Sequence, residues 1–461
     1  MDSKHANNVT DLSRRKFVKL GGLGVGAAAT AALAAAACEP RDRQETKSDE
    51  RPWWVNETFE LEEATFTSLA NDMASGRRTS VEITQLYLDR IAALDRDGAK
   101  LRSIIETNGD ALGIAARLDE ERVNGRVRSL LHGIPIVLKD NIDTADKMTT
   151  TAGSLALEGS IAAEDSFVAA RLRSAGAVLL GKTNLSEWAN FRSERSSSGW
   201  SGRGGQCGNP YALDRSPCGS SSGSGAATSA NLCAVALGTE TNGSVVCPSS
   251  ACSLVGIKPT VGVWGRSGII PIAHSQDTAG PMARSLADAV AVLGALSAVD
   301  PNDPASRDRG GEVFTDYSQF LDAAGLKGAR IGVGRQFFGF HERVDSLLEE
   351  ALEAMKSEGA ELVEEIELPR LSDVGEHSYQ VLLYEFKADL NAYLAQLGPA
   401  VAVRSLADLI RFNEENRDRE MPYFEQEIFE AAEEKGDLSS PEYLEALATC
   451  KRLAGPEGID A

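Results

Sequence analysis

Residues 134–138 read Ile-Pro-Ile-Val-Leu and lead into Lys139, an apolar run with no polar residue for either side of a pleat. A strand of that kind cannot turn one face to water, so it must lie within a sheet covered on both sides. The segments around it alternate in the same way. Helical periodicity over 110–124 precedes it, a helix over 165–175 and a strand over 178–181 follow, and another apolar strand runs over 234–237. Further upstream, Thr79 and Glu82 have the spacing of a capping box. Ile83, Tyr87, Ile91 and Leu94 then recur at helical intervals, which predicts a helix over 80–94 and, after it, a short strand over 103–107. Strand and helix in turn predict the α/β class: one large domain from about Leu61, built on a mixed, mostly parallel twisted sheet with helices on both faces.

The first residues read differently. Arg14 and Arg15 precede an Ala/Gly-rich apolar stretch over 20–37, the charged region, apolar region and small-residue exit of a secretory signal. The arginine pair matches a twin-arginine export signal. The rival reading, a membrane anchor, needs about 20 strongly apolar residues. Cys38 follows three alanines, as at a lipoprotein processing site, so a lipid anchor at Cys38 is the other way to hold the chain at a membrane. Residues 38–60 are charged and poor in aliphatics, which predicts a flexible linker. The expected location is therefore outside the cytoplasm: periplasmic, or anchored on the outer side of the cytoplasmic membrane. The GLGVG run at 22–26 lies in the export segment with no strand before it, so it predicts no dinucleotide site.

A formal net charge of −21 repels phosphate backbones and argues against a nucleic-acid partner. The seven cysteines lack the paired spacing of a zinc site, and no phosphate-binding loop appears, so no metal and no cofactor are expected. An oxidising compartment permits disulfides among them without specifying which, and buried small side chains are the plainer role for most. Sequence says nothing about the oligomeric state.

Two stretches carry the chemistry. Residues 216–225, SPCGSSSGSG, have the composition of a flexible linker, yet helical residues 226–232 and an apolar strand follow at once. A Gly/Ser loop opening a helix instead offers N–H groups and hydroxyls to developing negative charge. Residues 238–250, GTETNGSVVCPSS, come directly after that strand. Their Asn242-Gly243 pair suits a hairpin, or a turn that presents successive N–H groups around Ser244 to a tetrahedral oxyanion.

Together with HGIPIVLKDNIDT (132–144), GIKPT (256–260) and DTAGPMAR (277–284), these stretches resemble the amidase signature family from about Leu61 to the end of the chain. The resemblance implies that Ser244 is the nucleophile and Lys139 the base. Ser220, on a cis Gly219–Ser220 peptide, would bridge them. Thr241, Asn242 and Gly243 would supply main-chain N–H groups to the oxyanion hole, and Ser221 would fix the loop. The chemistry is coherent, since a serine hydroxyl needs a base, and a lysine serves only when neutral. Burial at a strand end lowers its pKa. A solvated lysine at a strand end is the rival, and a carboxylate at Asp140 would oppose the shift.

The implied reaction converts a carboxamide, of a small molecule or a peptide, to carboxylate and ammonia. Glu240, Asn242 and Val246 stand where the family has aspartate, glycine and often arginine. Asparagine tolerates positive φ, so the turn is expected to survive, and the valine variant resembles bacterial peptide amidases. Family members continue past a helix like 441–453 into further strands, whereas this sequence ends at GPEGIDA, so a shortened C-terminal wall is expected. That motivates one alternative, a non-catalytic amidase-like protein that binds amides. G-S-S-S-G at 219–223 motivates another, an α/β-hydrolase esterase with Ser221 as nucleophile and His274, His341 or His377 as base. A component of an amidotransferase is a third, opposed by export and acidity. The acidic stretch 414–434 is expected to form a solvated face with apolar anchors, or a roof over the cleft.

Overall fold

The structure, a computed structural model, describes residues 58–364, 366 and 371–460; the expected export signal (1–37), Cys38 and nearly all of the linker lie outside the described residues. From Phe59 onward the chain forms one compact unit. Apart from a separate parallel pair, Arg330–Gly332 with Glu361–Val363, its described strands in chain order are β1 (Ile104–Thr107), β2 (Pro135–Lys139), β3 (Val178–Thr183), a small hairpin of β4 (Trp200–Ser201) and β5 (Gly205–Gln206), β6 (Val235–Glu240), β7 (Val255–Gly256) and β8 (Thr278–Ala283). Hairpin apart, they make a six-stranded sheet in the order β1-β3-β2-β6-β8-β7. β2 is parallel to β3 and to β6, while β1 and β8 are antiparallel to their neighbours and β7 is antiparallel to β8. Four strands, β2, β3, β6 and β7, therefore run one way, which is the mixed, mostly parallel sheet expected of alternating strand and helix.

β2, β3 and β6 are buried along their whole length, as apolar runs covered on both faces must be. Lys139 is the last residue of β2, not the residue beyond it, and its register partner is Thr183 of β3. The capping box at Thr79 and Glu82 forms, with reciprocal bonds of 3.1 and 2.7 Å, and starts the helix Ser80–Arg90. That helix widens into a π-helical segment, Ile91–Asp97, that keeps Ile91 and Leu94 buried.

The Ser/Gly run is a loop over 216–221 that opens directly into a helix. The helix begins at Ser222, earlier than expected, and runs to Ser229 with every residue buried. It packs against β2, β3, β6 and β8. Small side chains permit this depth: a Cβ on Gly223 would lie 2.3 Å from the carbonyl oxygen of Ser103.

A second core joins the helices Leu371–Leu394, Leu406–Glu415 and Glu427–Glu433 around Leu383, Phe386, Leu409 and Phe429. The acidic stretch thus has its apolar anchors, and one acid is internal. Glu420 is buried, with Oε1 accepting the Leu155 N–H at 2.6 Å and the Ser154 hydroxyl at 3.1 Å. Buried Arg192 pairs with Glu187 and lies 3.8 Å from Glu420. Its guanidinium sits 4.2 Å from the centroid of the Phe424 ring. Among the described residues no helix is long and apolar enough to cross a membrane.

Candidate active site

Parallel β2 and β6 end side by side, so the residues at their C-terminal ends meet. Lys139 closes β2, Thr239 and Glu240 close β6, and the turn with Ser244 follows directly. The Nζ of Lys139 is wholly buried among neutral oxygens: Ser220 Oγ at 2.8 Å, Thr239 Oγ1 at 2.9 Å and Thr239 O at 3.2 Å. Burial in that setting disfavours the ammonium and lowers its pKa to about 7, against the opposing pull of the Asp277 and Glu240 carboxylates. An amine of that kind exchanges protons near neutral pH.

Asp140, the neighbour expected to oppose this shift, does not face the amine. Successive strand residues point to opposite sides, and the Asp140 carboxylate bonds Thr151 Oγ1 and lies 3.6 Å from Arg203. A second buried lysine, Lys182, stands in register with Leu138 and donates to Ile142 O at 2.7 Å and Thr150 Oγ1 at 2.8 Å. The pleat thus keeps two buried lysines in separate polar environments.

The Gly219–Ser220 peptide is cis. Ser221 N–H donates to Ser244 O at 3.1 Å, tying the loop to the turn. The Ser221 hydroxyl donates to Thr239 O at 3.1 Å and accepts the Thr239 N–H at 3.2 Å, so it is spent on holding the loop against β6. Ser220 and Ser244 line a cavity of about 200 Å³, and Ser244 Oγ carries no hydrogen bond among the described residues.

The turn around Ser244 departs from expectation in two ways. Gly243, at φ 85°, is the left-handed residue, and Asn242 needs no positive φ. The Gly243 N–H does not face the cavity as an open donor: Glu240 Oε1 accepts it at 2.9 Å. Glu240 Oε2 accepts the N–H groups of Val245 at 2.7 Å and Val246 at 3.0 Å. One buried carboxylate thereby holds the turn and caps the helix Val246–Ala251, at whose N-terminus a negative charge is favoured. The N–H groups of Thr241, Asn242 and Ser244 have no partner among the described residues. The Ser244 N–H, which the motifs did not single out, is thus open, while the Gly243 N–H is engaged.

Other residues reach the cavity that the motifs did not single out. Asn141 Nδ2 donates to Thr239 Oγ1 at 3.0 Å, and its Oδ1 is buried without a partner among the described residues. Asp277 is half-buried, accepts hydrogen bonds from the Thr241 hydroxyl and the N–H groups of Ile272 and Ala273, and its carboxyl pKa is pushed up to about 6 by desolvation. His274 lines the cavity, and its Nδ1 meets Asp389 at 2.8 Å, a bond that raises its pKa. His274, Glu385 and Asp389 are the described side chains close enough to share an ion. Glu385 is already engaged by Ser275 and Tyr443.

Residues 82–453 match the family model described as Amidase. A probable amidase of Arabidopsis thaliana is 43% identical over 87% of this chain and 77% of its own length. Among solved structures, the native peptide amidase of Stenotrophomonas maltophilia superposes with a TM-score of 0.83 at 50% identity, covering 87% of this chain and 82% of that one. An amidase family protein of Bacillus anthracis superposes with a TM-score of 0.80 at 36% identity, over 86% of this chain and 78% of that one.

Proposed function

This chain belongs to the amidase signature family, and on that footing we propose that it removes the C-terminal carboxamide of peptides through Ser244, Ser220 and Lys139. That it is a hydrolase acting on amide C–N bonds follows from the family. The peptide preference draws support from the 50% identity to a peptide amidase, and from Val246 in place of an arginine.

One observation carries the catalytic reading: a buried lysine with no carboxylate partner among the described residues, 2.8 Å from Ser220 Oγ at the wall of the cavity that Ser244 also lines. In this reading Ser244 Oγ attacks the carbonyl carbon while its proton passes through Ser220 to neutral Lys139. The oxyanion meets the open N–H groups of Thr241, Asn242 and Ser244. Return of the proton through Ser220 expels ammonia, and water then releases the acid from the acyl-enzyme. The Ser221 esterase reading is disfavoured because that hydroxyl is occupied by Thr239 and does not line the cavity.

Export to an oxidising compartment is part of the proposal, as is membrane attachment through Cys38. A disulfide between Cys218 and Cys247 supports the former.

The test is covalent labelling by a fluorophosphonate with mapping of the adduct, followed by ammonia release from peptide amides, fatty amides and aryl amides. The expected result is an adduct on Ser244 and fastest turnover of peptide amides. An adduct on Ser221, or none with no ammonia released, overturns the catalytic assignment; faster turnover of fatty or aryl amides overturns the peptide preference.

A further inference from the structure

The Cys218–Cys247 disulfide joins the two segments that carry Ser220 and Ser244. Cys218 lies two residues before Ser220, at φ 63°, and Cys247 three residues after Ser244, in the first turn of the helix Val246–Ala251. The pairing spans 29 residues of sequence, including the whole of the helix Ser222–Ser229 and β6. Between residues 218–221 and 242–247, one described hydrogen bond makes a direct tie, from Ser221 N–H to Ser244 O at 3.1 Å. The disulfide is the second tie, and it is covalent.

Both segments also lean on the end of β6, the first through the Ser221 hydroxyl to Thr239 and the second through Glu240, and each has further supports of its own. The Ser220 side leans on Lys139 and, through Ser186 N–H to Ser220 O at 3.0 Å, on the residues after β3. Ser222 Oγ also donates to Cys218 O at 2.6 Å. The Ser244 side is held by Glu240 and by Cys247 N–H to Gly243 O at 2.8 Å. Cys247 is exposed at the surface, whereas Cys207, Cys233 and Cys252 are buried free thiols. A soluble reductant therefore reaches this sulfur pair before it reaches the interior.

We propose that Cys218 and Cys247 are positioning residues whose disulfide sets the approach of Ser220 to Ser244, so that opening it under native conditions lowers turnover and leaves substrate binding nearly unchanged. The inference rests on Ser244 being the nucleophile. A water-soluble phosphine breaks the Sγ–Sγ bond by delivering two electrons. Both sulfurs leave as thiols after taking up protons, and the phosphine becomes its oxide with oxygen from water. A loosening of about 1 Å is expected to reduce kcat by about 10- to 100-fold, the scale on which misplaced catalytic groups lose rate.

The test treats the full chain with phosphine below its unfolding temperature and alkylates the released thiols. Peptide mapping reads how fully 218 and 247 are labelled. On the same samples, kcat and KM for a peptide amide and the rate of Ser244 labelling by a fluorophosphonate are measured. The expected result is a fall in kcat and in labelling rate that tracks alkylation at 218 and 247, a KM within about twofold, and recovery on reoxidation of an unalkylated sample. A C218A/C247A variant should show the lowered kcat and no response to phosphine. If that variant does not fold, the phosphine series on the native chain stands alone. Full alkylation at both positions with unchanged kcat overturns the proposal, as does a loss confined to KM. An adduct at a serine other than Ser244 overturns the catalytic reading and this inference with it, whereas a Ser244 adduct formed at an unchanged rate overturns this inference alone.

Discussion

Lys139 Nζ lies 2.8 Å from Ser220 Oγ with no ion pair among the described residues, so the amine is held by neutral oxygens alone. All three contacts run from Nζ to an oxygen, and it is burial, with no carboxylate bonded to the amine among the described residues, that favours the uncharged form.

Activity should therefore follow deprotonation of Lys139. With its pKa lowered to about 7, the rate is expected to rise about tenfold per pH unit below 7 and level off above it, because each unit of pH there multiplies the neutral fraction by ten. Folding stability gains in the same direction. Between about 7 and 10.5 the unfolded chain binds a proton that the folded chain does not, so stability rises with pH across that window. A pH–rate profile and thermal melts across pH, each compared with Lys139→Met, check both. An acid limb unchanged in position in any residual Lys139→Met activity would show that another group titrates.

Ser220→Ala should lower kcat by about 10²- to 10⁴-fold with little effect on KM, since it removes proton transfer and leaves the cavity. Lys139→Ala in the same background should add little, because the two act as one relay. Steady-state kinetics of the two single variants and the double variant read the coupling. Additive losses would mean the two residues work independently.

Glu240→Gln keeps the volume but loses one acceptor oxygen, while three N–H groups still point at it. The nucleophile turn should loosen, with kcat down about 100-fold, the scale of misplacing a reacting group. The Glu240 charge also favours the ammonium of Lys139, so its removal should shift the acid limb of the pH–rate profile to lower pH. A limb that stays in place, or moves up, contradicts this electrostatic link.

Arg192→Met should destabilise the fold by about 3–5 kcal/mol, because it leaves buried Glu187 and Glu420 without their cation. Chemical denaturation reads this. Combining Arg192→Met with Glu187→Gln and Glu420→Gln, which removes the carboxylates as well, should recover much of the loss; no recovery would assign the cost to packing of Arg192 on Phe424 instead.

The strands around the site were legible as apolar runs, because burial on both faces leaves a continuous signature that no other part of the fold can alter. The motifs around Lys139, Ser220 and Ser244 were legible for a related reason, as each is a local turn or strand end whose residue types serve one geometry. Other features depend on which distant segments meet. The pleat separates Asp140 from the Lys139 amine, a fact about side-chain direction once register is set. Glu240 takes the Gly243 N–H, so the open donors are those of Thr241, Asn242 and Ser244. The loop after residue 268 brings Asp277 and His274 to the cavity, a placement that the motif at 277–284 and the histidine itself do not specify locally. The sulfur of Cys218 found Cys247 across 29 residues because β6 returns the chain beside the loop it left. Composition and local pattern set which segments must be buried and which turns can form. The pairing of charges, donors and sulfurs arose when packing placed those segments against one another, since those interactions act over a few ångströms in space and are indifferent to separation along the chain.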